Sequence, residues 1–597
     1  MDLLIYCSRD GMKTSDSTIS ADLVKRLLLV LIPLAVLAAF WPALRADFIR
    51  WDDDANFLNN PHFRGLDWRN LRWMFTTVYM SNYQPLSWLF SCLGYSLWGM
   101  QPFGYHATSL ALHILNAVLF YFVAARLLRL AAPLPDDDAA LPIAAAFAAL
   151  FFALHPLRVE SVAWLSGQHD LLAGAFYLTA VLCYLRGCSN EARRRRWLSA
   201  CVVLFAAAML SKANGITFPI ALLLLDFYPL RRLPENPRLW LAPQYRRVWL
   251  EKLPLLAIAV AAGLVAFVAR HQTTMLQPLS LGFRIQQALY GLVFYLGKTA
   301  APVQLMPFYP IPLNLRLPPA TVAVSFGLVL VLTAVVLRQR RRWPGGLVAW
   351  AYYVVTLLPV LGLVSVSILL VADRYTYLPC MAWAVLGGAA SLVTLRRLAS
   401  RHRRIAAAGL ASVLLLLASL SWRQSRLWHD SETLFRHVLA LEQDIPEVHN
   451  NLGFVLVNQL RIDEGIEEYR RALAIKPDFV KAMNNLGLAL LTQGRIAEGI
   501  EQCQKAVDLE PDYAFAHNNL GLALMYLGRA AEALPHFQKA VAVAPEYVVA
   551  YNNLGTALLA MGRSDEAIAQ FHKALDLRPD YSAAAAMLRA AEAQRQH

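Results

Sequence analysis

"NNLGLALLTQGRIAEGIEQCQKAVDLEPDYAFAH", residues 484–517, is one unit of a repeat. Asn-Leu-Gly recurs at 451–453, 485–487, 519–521 and 553–555, each time 34 residues on. Gly465, Gly499, Ala533 and Ala567 keep the same period, as do Ala472, Ala506, Ala540 and Ala574. So do Pro477, Pro511, Pro545 and Pro579. Small residues at fixed places let two helices approach closely, and a proline stops the second of them. A period of this length therefore predicts helix pairs stacked into an α-solenoid.

Four registers agree on the tetratricopeptide pattern, with four repeats expected over 447–582. "SETLFRHVLALEQ" (431–443), within a connecting segment 426–446, reads as a half-repeat, and 583–597 as a capping helix with a polar outer end.

Upstream the composition is different. The whole chain of 597 residues is 57% hydrophobic and only 16% charged, against about 25% charged in soluble proteins. Apolar runs of spanning length fall at 25–45, 105–130, 142–160, 169–187, 197–211, 214–230, 253–270, 320–337, 346–370, 375–395 and 405–422. The expected fold is all-α: a polytopic membrane core of about 11 spans over 24–425, followed by the solenoid. Lys25 and Arg26 precede the first run, which lacks a clean cleavage site and is read as a membrane helix rather than a leader.

Short basic clusters set the sides. "RRRR" (193–196), "RR" (231–232), "RQRRR" (338–342) and "RRLASRHRR" (396–404) all fall inside if the amino terminus is inside. "IQQALYGLVFYLGKTAAPV" (285–303) would reverse the later clusters if it crossed, so it is read as a re-entrant or interfacial helix. Residues 1–23 then form a cytoplasmic tail, the loop 46–104 lies outside, and the repeats are periplasmic or extracellular on a plasma (inner) membrane protein. The net charge of +14 belongs to these clusters; no aromatic-laced basic face points to nucleic acid. Seven scattered cysteines without a CxxC pair predict neither a zinc site nor a disulfide framework.

The external loop begins with "RWDDDAN" (50–56). Three carboxylates behind an apolar run are either a solvated loop or a site. Phe48 and Trp51 place them at headgroup level, and "WRNLRWMF" and "YQPLSWLFSCLGYSLWG" supply amphipathic cover. His106, His155, Arg158, Glu160, Asp170, Lys212, Asp373, Arg374 and Tyr377 lie at the same ends of other spans. Ionisable groups at membrane depth mark cavities by default. Cations such as Arg158, Lys212 and Arg374 suit a phosphate, and carboxylates suit a proton.

The stretches "FIRWDDDANFLNNP", "YQPLSWLF", "GYHATSLALHILNA", "FFALHPLRVESVAW", "SKANGITFPIALLLLDFYPLRR" and "VADRYTYLP" occur in one order along the chain. In that order, with the repeats, the chain resembles bacterial relatives of the transmembrane-and-tetratricopeptide O-mannosyltransferases of the GT-C class. The resemblance implies a GT-C-like fold and an acidic catalytic pair in the first external loop, matched here by Asp52 and Asp53. It implies transfer of a sugar from a polyprenyl-phosphate donor to a protein or peptide hydroxyl; the charge of Arg158, Lys212 and Arg374 then suits them to the donor phosphate. His106, His155, Glu160, Asp170, Asp373 and Tyr377 would line the substrate pocket. Where many relatives carry charge before Asp170, this chain has "LSGQH" (165–169). No cofactor is demanded; a divalent metal could assist, although no ligand spacing calls for one.

Asn451, Asn485, Asn519 and Asn553 recur on the first helix of each repeat. A column of amides can pair with the backbone of an extended acceptor peptide, or can serve packing. Expected partners are the lipid-linked donor, the acceptor protein and membrane lipids. Two alternatives stand beside this reading. One transfers to a glycolipid or cell-wall glycan, or moves a whole oligosaccharide; the other is a non-catalytic envelope scaffold.

Overall fold

The computed structural model describes residues 20–132, 135, 138–273, 279–312, 314–363 and 369–595. Most of the expected tail 1–23 lies outside the described residues. The chain divides into two units, residues 1–430 and 431–597.

The first unit is helical. Its one small sheet among the described residues pairs Tyr309–Pro310 with Leu369–Val371. Each expected apolar run contains a helix, but not every helix is long enough to cross a bilayer. Five are both long and apolar enough: Ala21–Arg45, Pro102–Ala131, Leu165–Ser189, Pro319–Arg338 and Arg401–Leu427. Two bent pairs raise the number to seven. The sequence count of eleven is larger because it scored apolarity across breaks and also took in Arg194–Ser211, which opens on three arginines, and the 17-residue Met381–Arg397. Phe218–Phe227, for example, has 10 residues and rises about 15 Å, half a hydrocarbon core.

One bend shapes the site. Ala140–Ala153 and Pro156–Ala163 meet at 57°. Pro156 forces His155 out of the helical region, to φ −74°, ψ 132°. The expected straight span 142–160 is thus folded back, which buries Arg158 and Glu160. The expected re-entrant or interfacial segment 285–303 falls mostly within Leu281–Ala300, one unbroken helix with Phe283, Gln287, Ala288, Gly291, Leu292 and Tyr295 buried.

The loop 46–104 is built, not loose. Trp68–Thr76 and Pro85–Trp98 are helices. They close over a cluster of Phe48, Phe57, Phe63, Met74, Trp88, Cys92, Tyr105 and Leu165.

The second unit runs from helix Ser431–Leu441 through four helix pairs, Pro446–Asn458 to Ser564–Leu577, and closes with Ser582–Arg595. The glycine of Asn-Leu-Gly is a close approach: a Cβ on Gly521 would lie 2.8 Å from the Phe537 ring. The turn inside each later repeat uses a positive-φ glycine, Gly494, Gly528 or Gly562; the first uses Leu460 at φ 65°.

Candidate active site

The acid trio separates into different environments. Asp53 is fully buried, whereas Asp52 and Asp54 are partly buried. Asp53 Oδ1 accepts from the Ser166 amide (2.9 Å) and the Ser166 hydroxyl (2.6 Å). Its Oδ2 accepts from the Ile49 amide at 3.0 Å. Asn56 Nδ2 donates to Ser166 Oγ at 2.9 Å, closing the network. Burial pushes the Asp53 carboxyl up to about 7 against the pull of these hydrogen bonds. Burial also raises Asp54.

A cleft lies at the ends of several helices. It is lined by Asp170, Tyr177, Lys212, Asn214, Thr356, Arg374, Tyr375 and Tyr377 among others. Four expected site residues, Asp170, Lys212, Arg374 and Tyr377, therefore converge from three distant parts of the chain. Asp170 opens the helix Gln168–Ser189 and Lys212 caps Arg194–Ser211. Lys212 Nζ donates to Asp170 Oδ2 at 2.7 Å, and Asn214 Nδ2 to Oδ1 at 2.7 Å. Glu160 accepts from the Arg374 amide at 2.7 Å and also pairs with the Arg374 guanidinium. That guanidinium stacks over the Trp164 and Tyr375 rings. The cleft is narrow, with about 30 Å³ of free volume, room for a water-sized group and not for a sugar ring.

The neighbouring predicted residues support the cleft. Asp373 accepts from the Tyr309 hydroxyl at 3.1 Å. Arg158 donates to Thr376 Oγ1 at 2.7 Å and lies against the Phe152 and Tyr377 rings. Tyr377 accepts from Asn116 Nδ2 at 2.9 Å and contacts His113 Nδ1 at 3.0 Å. Two predicted residues are placed elsewhere. His155 bonds the Thr299 carbonyl and receives the Leu157 amide, a capping role. His106 is buried at the start of Pro102–Ala131 and is not among the cleft residues.

Sequence reasoning missed Ser166, Asn116 and Tyr309. Ser166 sits in "LSGQH", the stretch that departs from the family pattern; its only sequence signal was that departure. It also missed a second buried network. Asp226 pairs with Arg232 and Lys252, and Glu251 with Arg194 and Arg232. These charges are mutually satisfied, as buried charges must be. Among the described residues no group of three or more His, Cys, Asp or Glu gathers as metal ligands.

In the second unit the asparagines pair with one another. Asn485 Nδ2 donates to Asn450 Oδ1 (3.0 Å), Asn519 to Asn484 (2.9 Å) and Asn553 to Asn518 (2.9 Å). Within a repeat, Asn450 donates to Asn451 at 3.1 Å. The column is a ladder that stitches successive repeats.

Comparison with known proteins finds the repeats within the second unit. Tetratricopeptide repeat models match 478–546 and 512–580, and a TPR repeat model matches 461–494. The protein O-mannosyl-transferase Tmtc3 of Drosophila melanogaster is 25% identical over 445 residues, 64% of this chain and 47% of that protein. Human protein O-mannosyl-transferase TMTC1 is 27% identical over 488 residues, 72% of this chain and 53% of its own. These transferases are homologues of the chain. The chain spans about half the length of the curated relatives it matches. Among solved structures, a thermophilic TPR protein from Thermus thermophilus is 23% identical, with TM-score 0.25, covering 30% of this chain and 94% of its own.

Proposed function

We propose that the chain is a membrane glycosyltransferase of GT-C type that moves a mannosyl group from a polyprenyl-phosphate donor to a protein hydroxyl. The observation that carries this is the convergence of Lys212, Arg374, Asp170 and Tyr377 on one cleft, in a homologue of named O-mannosyl-transferases. The amino terminus is cytoplasmic in this reading, and the loop 46–104 and the repeats lie on the outer side.

Asp52 acts as the general base, and Asp53 anchors the loop that carries it. Asp52 takes the proton of the acceptor hydroxyl. The acceptor oxygen attacks the anomeric carbon, the carbon–oxygen bond to phosphate breaks, and the lipid phosphate leaves with the electron pair, inverting the centre. Lys212 and Arg374 stabilise that leaving group. Each is already paired, but an ammonium carries three donors and a guanidinium five, so donors remain. The paired carboxylates hold the cations in place before substrate arrives. A sugar ring requires the narrow cleft to open. The repeats would bring the acceptor protein to the site.

One feature favours the scaffold reading: the same ion pairs also satisfy a purely structural core. Intact-mass analysis of envelope proteins and glycolipids, in cells with and without the chain, separates the readings. Loss of hexose-sized additions from proteins supports the transferase; loss from glycolipids alone changes the acceptor; unchanged masses leave the scaffold.

A further inference from the structure

A second cavity, about 410 Å³, lies between the starts of Ala21–Phe40 and Ala140–Ala153 and the end of Pro102–Ala131. That volume is in the range of small-molecule sites. The loop with the acid trio joins the opposite ends of the first and third of these helices. The cavity is thus remote from the donor cleft, and its occupancy is independent of the transferase reading.

Lys25, Arg126 and Arg129 line it. Arg126 and Arg129 are three residues apart on one helix, so they share a face, and Phe122 lies one turn before Arg126. Two carboxylates also line the cavity, Asp22 and Asp138. Both are already engaged: Asp22 with Arg26 at 2.9 Å, and Asp138 with Arg396 at 3.2 Å. Among the described residues Lys25 and Arg126 make no ion pair. Part of the lining is apolar: Phe122 is 37% exposed on a helix fit to cross a membrane, and Tyr121, Leu141 and Pro142 stand beside it.

A cationic cup with an apolar side fits an amphiphile with an anionic head. A water-borne anion would gain nothing from the exposed Phe122, and a neutral lipid nothing from the cations. We propose that this cavity holds the headgroup of an anionic phospholipid, with its phosphate between Lys25 and Arg126 and its acyl chains along Phe122. On the topology read from the basic clusters this lipid belongs to the cytoplasmic leaflet, where anionic lipids attract basic residues.

The test is native mass spectrometry of the full chain in detergent, titrated with phosphatidylglycerol or phosphatidylcholine. The first phosphatidylglycerol should bind about tenfold more tightly than phosphatidylcholine. Lys25→Gln with Arg126→Gln should erase that preference. Equal retention of the two lipids by the wild type, or an unaltered preference in the double variant, overturns the proposal. Inorganic phosphate at millimolar concentration should not displace the lipid; full displacement would make the site one for free phosphate. If the double variant does not fold, Phe122→Trp reads the same question. Its added fluorescence should be quenched by brominated phosphatidylglycerol at a lower lipid fraction than by brominated phosphatidylcholine, and equal quenching overturns the assignment.

Discussion

The hydroxyl of Ser166 donates a 2.6 Å hydrogen bond to Oδ1 of Asp53, 113 positions earlier in the chain. With the Ser166 and Ile49 amides it occupies both oxygens of that carboxylate. The trio is thereby divided. Asp53 fixes the loop to the segment that leads, four residues later, to Asp170 and the cleft. Asp52 is left partly exposed beside it.

Asn substitutions should therefore differ in kind. Asp52→Asn should reduce transfer by about 10²-fold while the protein stays folded. Asp53→Asn should lower stability, because an amide cannot accept from both Ser166 and Ile49; the cost is about 1–3 kcal/mol. Transfer assays and thermal unfolding on the same preparations separate the two. Near-normal turnover in Asp52→Asn would make the loop structural.

The Asp53 carboxyl lies at about 7 in the folded chain, against an ordinary value of 3.8. In between, the folded state holds a proton that the unfolded state has released. Stability from this group is therefore greatest below pH 4, falls as pH rises to about 7, and is level above that. Wild-type melting temperature should show this fall between pH 5 and 7, and Asp53→Asn should not. Parallel curves for the two proteins would refute the sign.

The ion pair between Arg374 and Glu160 allows a sharper test of the phosphate reading. Arg374→Ala leaves a buried carboxylate unpaired and should cost about 3–5 kcal/mol. Adding Glu160→Gln should restore much of the stability but none of the transfer, with donor KM raised. A double variant that is both stable and active would assign the pair to structure alone. Lys212→Ala with Asp170→Asn should behave likewise.

The solenoid was legible because three small-residue registers and the proline share one period, and steric contacts such as Gly521 on Phe537 demand it. The convergence of Asp170, Lys212 and Arg374 was legible as a shared membrane side, but their pairing was not, since that depends on the fold. The bend at Pro156 escaped the span count because apolarity continues across it. Ser166 escaped because a single hydroxyl among small residues has no charge or periodicity to mark it.

Topology has its own check. The proposed topology puts residues 431–597 outside. A single exposed cysteine introduced at Lys481 or Arg529, in an otherwise unaltered chain, should label with an impermeant maleimide in intact cells. Labelling only after lysis would reverse the repeats and with them the proposed role in acceptor capture.

The asparagine ladder yields the last prediction. Asn485, Asn519 and Asn553 each donate to an asparagine of the preceding repeat. Each amide carries a second hydrogen and spare lone pairs, so the ladder can stitch repeats and still meet a peptide backbone. Replacing all three by Ala removes three inter-repeat bonds, at about 1 kcal/mol net each. A purely structural ladder predicts a lower melting temperature and an unchanged KM for a long protein acceptor. An acceptor groove predicts, in addition, a KM raised by up to roughly 100-fold for the long acceptor, with little change for a short peptide. Circular dichroism at the assay temperature must show the helices intact. A destabilised but folded variant with wild-type KM would confine the ladder to holding the solenoid together, and would move acceptor recognition to the membrane unit.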